Sequence, residues 1–376
     1  MKNLIYLIEL SNHNDKKSYG PIKKVEAQMK SFRTVCDVTL INHDPNKNGA
    51  LSIFDKIKSR LPFMPITTKW EYDERFTSAD FIYIRRPSFF DHSLYNLLKK
   101  IKQKNPKVKI ILEHPTYPYL SQLIAHDFWK QSIFILKDII NHHLIAYYLD
   151  RITTFSEHEE IAGVKTIRIM NGVDFSSINM PVRENAEDKI ELIEVSSVNF
   201  WHGYDRILEG MGQYYIAGGK RNIIFNIVGD GMVIPQFKQI VEKYHLEGHV
   251  VFHGNKGGKE LEGIYRHSYI GIDALGRHRS NNPTNSSLKS REYAAYGIPF
   301  VAAVPIDFAD KDWPYVSYVP QDESPIDMEQ IIAFYDSIYR GKDANAIATE
   351  IRNYGKSRCD MSITMQPVVD YIQEGN

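Results

Sequence analysis

The hydrophobic pattern of the chain alternates between short apolar runs and longer amphipathic stretches. The runs include "NLIYLIEL" (3–10), "CDVTLIN" (36–42) and "KVKIILEHP" (107–115), and helical patterns such as "PIKKVEAQMKSF" (21–32) lie between them. Alternation of this kind predicts βαβ units, in which consecutive strands join one parallel sheet. The sequence is therefore typical of an α/β protein.

The pattern is broken once, by the polar segment "FSSINMPVRENAEDK" (175–189), which is the best linker candidate. It then restarts with "IELIEVSSV" (190–198), "RNIIFNIVGDG" (221–231) and "YIGIDAL" (269–275). A chain of 376 residues is also too long for one ordinary core and suits two domains. We predict two successive parallel-sheet domains and a tail, with these boundaries: 1–176, 177–355, and a C-terminal segment 356–376 that could pack back on the first domain.

Charge is divided unevenly between the two predicted domains, although the formal net charge of the chain is +0. Residues 1–176 contain 26 Lys and Arg against 19 Asp and Glu, whereas the rest of the chain contains 20 against 27. A basic first domain and an acidic second domain predict different partners, with the first domain facing something anionic.

Cysteine usage and the apolar segments narrow the class of protein. Cys36 and Cys359 are the only two cysteines, which argues against a disulfide framework or a zinc site and fits a reducing compartment. The N-terminal run lacks a small-residue cleavage site, so we interpret it as a first strand and not as a signal peptide. The most apolar later stretch, 132–149, is interrupted by charged and polar residues, so we expect no plain transmembrane helix there.

The stretch "SSLKSREYAAYGIPFV" (286–301) predicts a helix that begins at one edge of the second sheet and leads into a buried strand. Ser286 or Ser287 can cap the helix start, and Gly297 can end it in a left-handed turn before Pro299. In open parallel sheets, ligands bind beyond the carboxyl ends of the strands, and helix starts favour anions. This helix start is therefore a candidate ligand site.

Charged side chains are concentrated at this helix start. Glu292 can accept two hydrogen bonds from a vicinal diol such as a ribose, and Lys289 and Arg291 can hold a diphosphate. The loop just upstream, "GRHRSNN", adds two more cations, Arg277 and Arg279. A plainer interpretation stays open at this point: a solvated basic turn in which Glu292 complements the helix dipole.

Glycines mark other places where a strand gives way to a helix. Gly229 and Gly231 in "NIVGDG" allow either a tight turn or the close approach of a ligand. The first strand is followed by a single glycine, Gly20, and not by G-x-G-x-x-G, which argues against a dinucleotide-dependent dehydrogenase. Gly20 could let a substrate approach the first helix, or it could only shape the turn.

Several segments together resemble the glycosyltransferase family 4-like enzymes of the GT-B fold, over nearly the whole chain. The resemblance implies two Rossmann-like parallel-sheet domains that face a central cleft, with the donor bound in the second domain and the acceptor in the first. The segments that carry it are "LEHPTYPY" (112–119), "IRIMNGVD" (167–174), "WHGYDRILEGM" (201–211), "IVGDG" (227–231), "VVFHG" (250–254), "ELEGIYRHSYIGI" (260–272) and "LKSREYAAYGIPFV" (288–301).

The resemblance implies transfer of a sugar from a nucleotide-sugar donor, with UDP- or GDP-sugars favoured, to a glycan or lipid-linked acceptor. It further implies a retaining reaction without a metal ion or cofactor, because helix dipoles and cations carry the charge of the leaving diphosphate. The setting it implies is polysaccharide or glycolipid assembly in the cytoplasm, with possible peripheral association with the inner face of the membrane. The donor-binding candidates are Glu292, Lys289, Arg291, Arg277, Arg279, Gly229, Gly231 and His202.

The chain departs from the family pattern in two ways. The family often shows two glutamates eight residues apart; Glu292 matches the second, but the first position is Thr284. The family also tends to place an arginine and a lysine at the start of the second domain, where this chain has Ser196 and His202. We therefore expect the basic cluster near Glu292 to replace the missing diphosphate cations.

The acceptor side is expected in the first domain. His114 is the candidate acid/base or sugar contact, and Glu113 could orient it or the acceptor hydroxyl, because both follow a buried strand. Tyr117 and Tyr119 suit stacking against a sugar. A capped strand end before an ordinary Pro-Tyr turn is the competing interpretation.

Two segments of the first domain suggest a further partner. Residues 99–109 contain six lysines, and 55–70 mixes basic with apolar residues, so this surface could rest on an anionic membrane. A solvated helix end would explain the lysines equally well. Because the lysines follow no recognised motif, we do not expect nucleic-acid binding.

Three alternative functions remain open from the sequence. A sugar-nucleotide 2-epimerase shares this fold but would need more than one acid/base at the sugar, which Thr284 does not favour. A non-catalytic nucleotide-sugar-binding subunit would explain the missing acid and cations. A metal-dependent GT-A enzyme is disfavoured, because "DKD" at 310–312 is better explained as a surface turn.

Overall fold

The computed structural model describes most of the chain and divides it into two compact units. The described residues are 1–10, 19–44, 59–61, 64, 70–115, 117–118, 128–184, 189–280 and 286–375. Unit 1 comprises Met1–Met170 and Thr364–Asn376, and unit 2 comprises Asn171–Ile363.

Strands and helices alternate within each unit as the hydrophobic pattern predicts. The strands are β1 Lys2–Ile8, β2 Cys36–Asn42, β3 Phe81–Arg85, β4 Lys109–Glu113, β5 Arg151–Thr154, β6 Glu160–Ile161, β7 Val164–Arg168, β8 Lys189–Val195, β9 Asn222–Val228, β10 Val250–Gly254, β11 Ile270–Ile272, β12 Phe300–Ala302 and β13 Val316–Tyr318. The helices are α1 Tyr19–Phe32, α2 His92–Lys104, α3 Phe128–Ala146, α4 Tyr204–Ile216, α5 Ile234–Lys243, α6 Gly258–His267, α7 Leu288–Tyr296, α8 Met328–Tyr339, α9 Ala344–Cys359, α10 Met361–Thr364 and α11 Gln366–Glu374.

Unit 1 is built on a seven-stranded sheet in the order β2-β1-β3-β4-β5-β7-β6. Its pairings are parallel except for the antiparallel hairpin of β6 and β7. The chain steps from β3 to β4 to β5 in one direction, and right-handed crossovers therefore place α2 and α3 on the same side of the sheet. Helix α2 shows why these elements form: Asp91 caps its first turn, and its buried side chains recur at helical spacing, namely Leu94, Leu97, Leu98 and Ile101.

Unit 2 is built on a six-stranded parallel sheet in the order β10-β9-β8-β11-β12-β13. Strand β8 lies inside the sheet between β9 and β11, and its apolar side chains belong to the core of the unit. The edge strand β13 was missed from the sequence, because its half-exposed residues follow a polar turn and form only a three-residue run.

The crossing points between the units differ from the predicted boundaries at 176 and 356. Residues after Met170 belong to unit 2, because Val173 pairs with the end of α9 and the start of α10. The N–H of Val173 donates to the carbonyl of Cys359 at 3.2 Å, and the N–H of Met361 donates to the carbonyl of Val173 at 2.8 Å. The chain then returns to unit 1 at Thr364, and α11 contacts α1 and β7 there.

Candidate functional site

Three loops and one helix start lie at the carboxyl edge of the unit 2 sheet. The loop 196–203 follows β8, the loop 229–233 follows β9, and the loop 273–280 follows β11. Because β8 pairs with both β9 and β11, the three loops are neighbours, and α7 begins beside them. This is the edge at which open parallel sheets bind ligands.

Helix α7 begins and ends where the sequence predicts. Ser287 is its N-cap and accepts the N–H of Ser290, while Gly297 ends it at φ 69° in the left-handed region. The hydroxyl of Ser287 also donates to the carboxylate of Asp273 at 2.8 Å, which fixes the helix start to the loop after β11. Asp273 was not among the site residues predicted from the sequence.

A buried acid and a buried lysine lie beneath this helix start. Lys289 is 9% exposed and donates from Nζ to the hydroxyl of Tyr204 at 2.9 Å. Glu194, at the end of β8, is fully buried and accepts a hydrogen bond from the hydroxyl of Ser196 at 2.7 Å. Burial raises the pKa of Glu194 to about 7, against the opposing effect of the Lys289 charge. Burial likewise lowers the pKa of Lys289, against the opposing charges of Asp273 and Glu194.

Glu194 makes the stability of unit 2 depend on pH. Because its pKa is raised from 4.5 to about 7, its contribution to the free energy of unfolding is complete below pH 4.5 and is lost as pH rises through 7. The loss amounts to at most about 3 kcal/mol. Glu194→Gln keeps the neutral form at every pH, so we expect the variant to lose less stability than the wild type between pH 5 and pH 8 in urea unfolding.

The matched control is Glu191→Gln, on the same strand, where the carboxylate pairs with the exposed Lys189 at 2.6 Å. We expect this variant to follow the pH dependence of the wild type. Equal pH dependence of the Glu194 variant and the wild type would contradict the assignment.

His202 is held as a neutral ring at the end of the loop 196–203. The N–H of Asn199 donates to its Nδ1 at 3.2 Å, so the proton of the neutral ring lies on Nε2. Burial, together with the charges of Lys289 and Arg277, lowers the pKa of His202 to about 2. His202 therefore supplies an N–H donor and not a cation, even though it stands where the family tends to have a lysine.

Arg279 is bonded within the unit. Its guanidinium donates to both carboxylate oxygens of Asp205 at 2.9 and 2.8 Å and to the carbonyl of Phe200 at 2.7 Å. It also forms an ion pair with Glu323, and these hydrogen bonds raise its pKa. Arg279 thus ties the loop after β11 to the start of α4.

Arg291 points to the interior of unit 2. It is fully buried, and its NH2 group donates to both carboxylate oxygens of Asp307 at 2.7 Å. It also donates to the carbonyl of Ser287 at 2.8 Å and to that of Asn171. These bonds hold the helix start in place and engage the Arg291 guanidinium within unit 2.

The two predicted glycines let neighbouring loops touch. A Cβ on Gly229 would lie 1.8 Å from the carbonyl oxygen of Ser196, and a Cβ on Gly231 would lie 1.8 Å from that of Val198. Gly229 also has φ 136°, which side chains rarely adopt. Both glycines therefore position the loop after β9 against the loop after β8.

Glu292 and Arg277 lie beside the buried pair. Glu292 is half-buried on α7, and its charge acts on Lys289, three residues earlier on the same helix. Arg277 is also half-buried, and its charge lowers the pKa values of both Lys289 and His202. At the start of α7 the cationic groups of Lys289 and Arg277 thus lie together with the carboxylate of Glu292, and with that of Asp273, which Ser287 binds.

In unit 1, the two predicted acid/base residues lie at the end of β4. Glu113 is 1% exposed and pairs with Lys24 of α1 at 2.9 Å. Burial raises its pKa, but the charges of Lys24 and Arg85, together with hydrogen bonds from Lys24 and Gln28, lower it overall, so this carboxylate is ionised. His114 is fully buried, with its ring 5.2 Å from that of His142 and 5.8 Å from that of Tyr117.

The remaining acceptor-side candidates are only partly placed. The ring of Tyr117 meets that of His158 edge-on, with centroids 4.9 Å apart. His158 lines a polar surface cavity of about 560 Å³, together with charged residues of the β6–β7 hairpin such as Lys165. Gly20 lies in the first turn of α1. Tyr119, like Thr284 in unit 2, lies outside the described residues.

Within the described part of the chain, no group of three or more His, Cys, Asp or Glu side chains is placed to hold a metal ion. Over the same residues, no helix is both long enough and apolar enough to cross a membrane.

Comparison with known proteins identifies the fold. No protein-family model matches the chain, and no curated protein matches it in sequence. It is similar to HepE from Anabaena, solved in complex with UDP, with a TM-score of 0.59 and 13% identity over 100% of both chains. It is also similar to a glycosyltransferase from Rickettsia africae, with a TM-score of 0.57 and 11% identity over 100% of this chain and 98% of that one. The lipopolysaccharide outer core galactosyltransferase WaaB, in its apo form, gives a TM-score of 0.56 and 12% identity over 100% of both chains.

The predicted fold class is confirmed. The chain has the GT-B fold of these structures, with two parallel-sheet domains of seven and six strands. Membership of glycosyltransferase family 4 stays a prediction. At this level of identity the comparisons show the fold alone, and function has to be argued from the residues at the sheet edges.

Proposed function

We propose that the chain is a glycosyltransferase that transfers a sugar from a nucleotide-sugar donor to a glycan or lipid-linked acceptor. The observation that carries the proposal is the start of α7, where Lys289, Arg277 and Glu292 meet at the carboxyl edge of the unit 2 sheet. Such an edge suits a bound anion, and a carboxylate one turn along suits a sugar diol. Glycosyltransferases among the structures of the same fold support the assignment.

In this proposal the donor diphosphate lies at the N-terminus of α7. The positive end of the helix dipole and Lys289 take its charge, Arg277 adds a second cation, and His202 donates from Nε2. Arg279, Arg291, Gly229 and Gly231 act indirectly, because they hold the loops that carry these groups. Glu292 accepts the two ribose hydroxyls.

The donor is proposed to be a UDP- or GDP-sugar. The HepE complexes, which contain UDP and UDP-glucose, favour UDP. We further propose a metal-independent reaction, because Lys289 and the helix start supply positive charge where the leaving diphosphate develops negative charge. Retention of configuration is proposed on the same ground, with the leaving phosphate accepting the proton of the attacking hydroxyl.

The acceptor is proposed to bind unit 1. His114 is the candidate contact with the acceptor hydroxyl, and ionised Glu113 fits a positioning role because it is already paired with Lys24. Tyr117, beside the polar cavity at His158, offers an aromatic face for a sugar ring. Cytoplasmic glycan or glycolipid assembly is the setting that this acceptor class implies.

A thermal-shift screen against UDP-, GDP-, ADP- and dTDP-sugars tests the donor class. We expect one class to raise the melting temperature of the wild type, because a ligand at about 100 times its Kd adds about 2.7 kcal/mol to the stability of the folded state. The same ligand should shift Glu292→Ala much less.

Analysis of the nucleotide sugars after incubation with the protein separates the alternative functions. Slow hydrolysis of the stabilising donor supports the transferase, and an epimerised nucleotide sugar formed without acceptor would favour the 2-epimerase. Binding without any turnover would favour a non-catalytic subunit, which the neutral His202 makes the strongest alternative. Stabilisation by none of the four classes would contradict donor binding altogether.

A further inference from the structure

Three polar side chains form a continuous hydrogen-bonded row beneath the proposed donor site. The hydroxyl oxygen of Ser196 lies 2.7 Å from Oε2 of Glu194 and 3.3 Å from Nδ1 of His202. We call these three side chains the Glu194 relay. Ser196 and His202 are also the two residues that stand where the family tends to have an arginine and a lysine. The relay therefore occupies the place of two diphosphate cations.

The hydrogen bonds of the Glu194 relay depend on one proton. Nδ1 of His202 accepts the N–H of Asn199 at 3.2 Å, so Nδ1 carries no proton and Ser196 must be the donor to it. A hydroxyl has a single proton, so Ser196 cannot donate to Glu194 at the same time. Both contacts of Ser196 are hydrogen bonds only when Glu194 is protonated and donates to the hydroxyl oxygen.

Burial makes the protonated form of Glu194 accessible at neutral pH. Glu194 is fully buried, and burial raises its pKa to about 7. The charge of Lys289 and hydrogen bonds from Ser196 and Tyr204 oppose this rise. Burial also keeps the ring of His202 neutral near pH 7, with its pKa lowered to about 2. The relay can therefore gain or lose its proton at Glu194 while the imidazole stays neutral.

The other titratable and charged groups around Glu194 come from both neighbouring loops and from three helices. Burial raises the pKa values of the tyrosines among them, so their hydroxyls stay neutral between pH 6 and pH 8. Burial lowers the pKa of Lys289, against the charges of Asp273 and Glu194. Replacing Glu194 alone therefore identifies which of these groups titrates. Among the described residues the groups are Ser196 and His202 after β8, Tyr204 on α4, Tyr265 on α6, Asp273 and Arg277 after β11, and Lys289, Glu292 and Tyr293 on α7.

We propose that Glu194 and Ser196 are positioning residues that act on the donor through His202. With Glu194 protonated, Ser196 donates to Nδ1 of His202, and the supported ring presents its Nε2–H to the donor diphosphate. When Glu194 releases its proton to solvent, the Ser196 hydroxyl donates to the carboxylate, and His202 loses this support. The ligand in this proposal rests on the proposed function, whereas the relay is a property of the free protein.

The proposal predicts that a nucleotide sugar binds more weakly as pH rises. The affinity should fall by up to about tenfold between pH 6 and pH 8, because the protonated fraction of a group with a pKa of about 7 falls by that factor. UDP-glucose is the probe, or the nucleotide sugar that the screen selects. Its diphosphate is esterified at both ends, whereas a terminal phosphate titrates at a pH of about 6. Equal affinity of the wild type at pH 6 and pH 8 would overturn the proposal.

Three variants separate the relay from a simple effect of charge. Glu194→Gln should bind UDP-glucose equally at both pH values, because its amide donates to Ser196 throughout the range. Ser196→Ala keeps the acid but breaks the relay, so its affinity at pH 6 should fall towards the wild-type value at pH 8. Ser196→Thr retains the hydroxyl and should restore the pH dependence. Wild-type affinity and pH dependence in Ser196→Ala would show that charge acts alone, against the proposal.

The relay is tested without any donor by ¹⁵N NMR of the full-length protein labelled at histidine. The Nδ1 resonance of His202, identified by its absence from His202→Gln, should shift between pH 6 and pH 8 as the hydrogen bond from Ser196 is lost. Glu194→Gln should abolish this shift, and the matched control Glu191→Gln, on the same strand, should keep it. No shift in the wild type would overturn the proposal, even if UDP-glucose bound. A normal shift without binding of any nucleotide sugar would confirm the relay and contradict the proposed function.

Discussion

Replacing Lys289 by methionine should weaken binding of the donor diphosphate by about 10- to 100-fold, because a charge-assisted hydrogen bond contributes about 1.5–3 kcal/mol. Methionine has a similar length, so it should fill the same buried space beneath α7. The affinity is measured by calorimetric titration with UDP, or with the nucleoside diphosphate that the thermal-shift screen selects. Uridine without phosphate should bind the variant and the wild type equally.

The control for this variant is Lys243→Met. Lys243 lies in the same unit and pairs with Glu209 at 3.3 Å, but it stands at the carboxyl end of α5, away from the helix start that carries the proposed site. We expect this variant to bind the diphosphate like the wild type. If both variants bound the diphosphate with wild-type affinity, Lys289 would be a structural lysine whose role is its hydrogen bond to the hydroxyl of Tyr204.

A second measurement on Lys289→Met separates charge from packing. The Lys289 charge is the largest of the effects that hold the pKa of Glu194 down against burial, ahead of the hydrogen bonds from Ser196 and Tyr204, so its removal should raise that pKa above about 7. Infrared difference spectra across the pH range should then show the protonated carboxyl persisting to higher pH. A purely structural lysine that was neutral in the folded state would leave the titration of Glu194 unchanged.

The sequence predicts the architecture because the period of its apolar residues is unambiguous. Strand β2 begins and ends where the run "CDVTLIN" does, and α7 has the serine cap and left-handed glycine that its sequence indicates. The unit boundaries were less predictable. They depend on Val173 pairing with Cys359 and Met361, a long-range contact that no local composition reveals.

The candidate site was only partly predictable, and α7 shows why. The sequence places Lys289 and Arg291 side by side, but residues two apart on a helix do not share a face. Lys289 and Glu292 are three apart and remain together, whereas Arg291 turns inward to Asp307. Helical periodicity could have shown that Lys289 and Arg291 lie on different faces of α7. It could not have shown that Arg291 is buried against Asp307, because that is a tertiary contact.

Glu194 was missed for a different reason. A glutamate near the end of a strand usually belongs to the solvent-facing side, so the run "IELIEV" suggests no buried acid. The structure places β8 between two neighbouring strands, so the end of this strand is enclosed. Only the topology of the sheet shows that Glu194 and Lys289 occupy the same interior.

Glu292→Gln should weaken binding of UDP, or of the nucleoside diphosphate that the screen selects, by about 10- to 100-fold. The ionised carboxylate can accept hydrogen bonds from both ribose hydroxyls, whereas the amide retains one acceptor oxygen, and a hydrogen bond to a charged group is worth about 1.5–3 kcal/mol. Glu292 is half-buried, so the change should leave the fold intact and act mainly on the ligand.

The 2′,3′-dideoxy form of the same nucleotide makes this test specific. It lacks the hydroxyls that the carboxylate is proposed to accept, so it should bind the wild type weakly and the Glu292→Gln variant with the same weak affinity. The double comparison isolates the contact between Glu292 and the diol, since each change removes one partner. If the substitution weakened both nucleotides equally, Glu292 would act through the charge of neighbouring Lys289 and not through the ribose. If the substitution weakened the binding of neither nucleotide, the Glu292 carboxylate would not contribute to donor binding, and another residue of unit 2 would have to hold the diol.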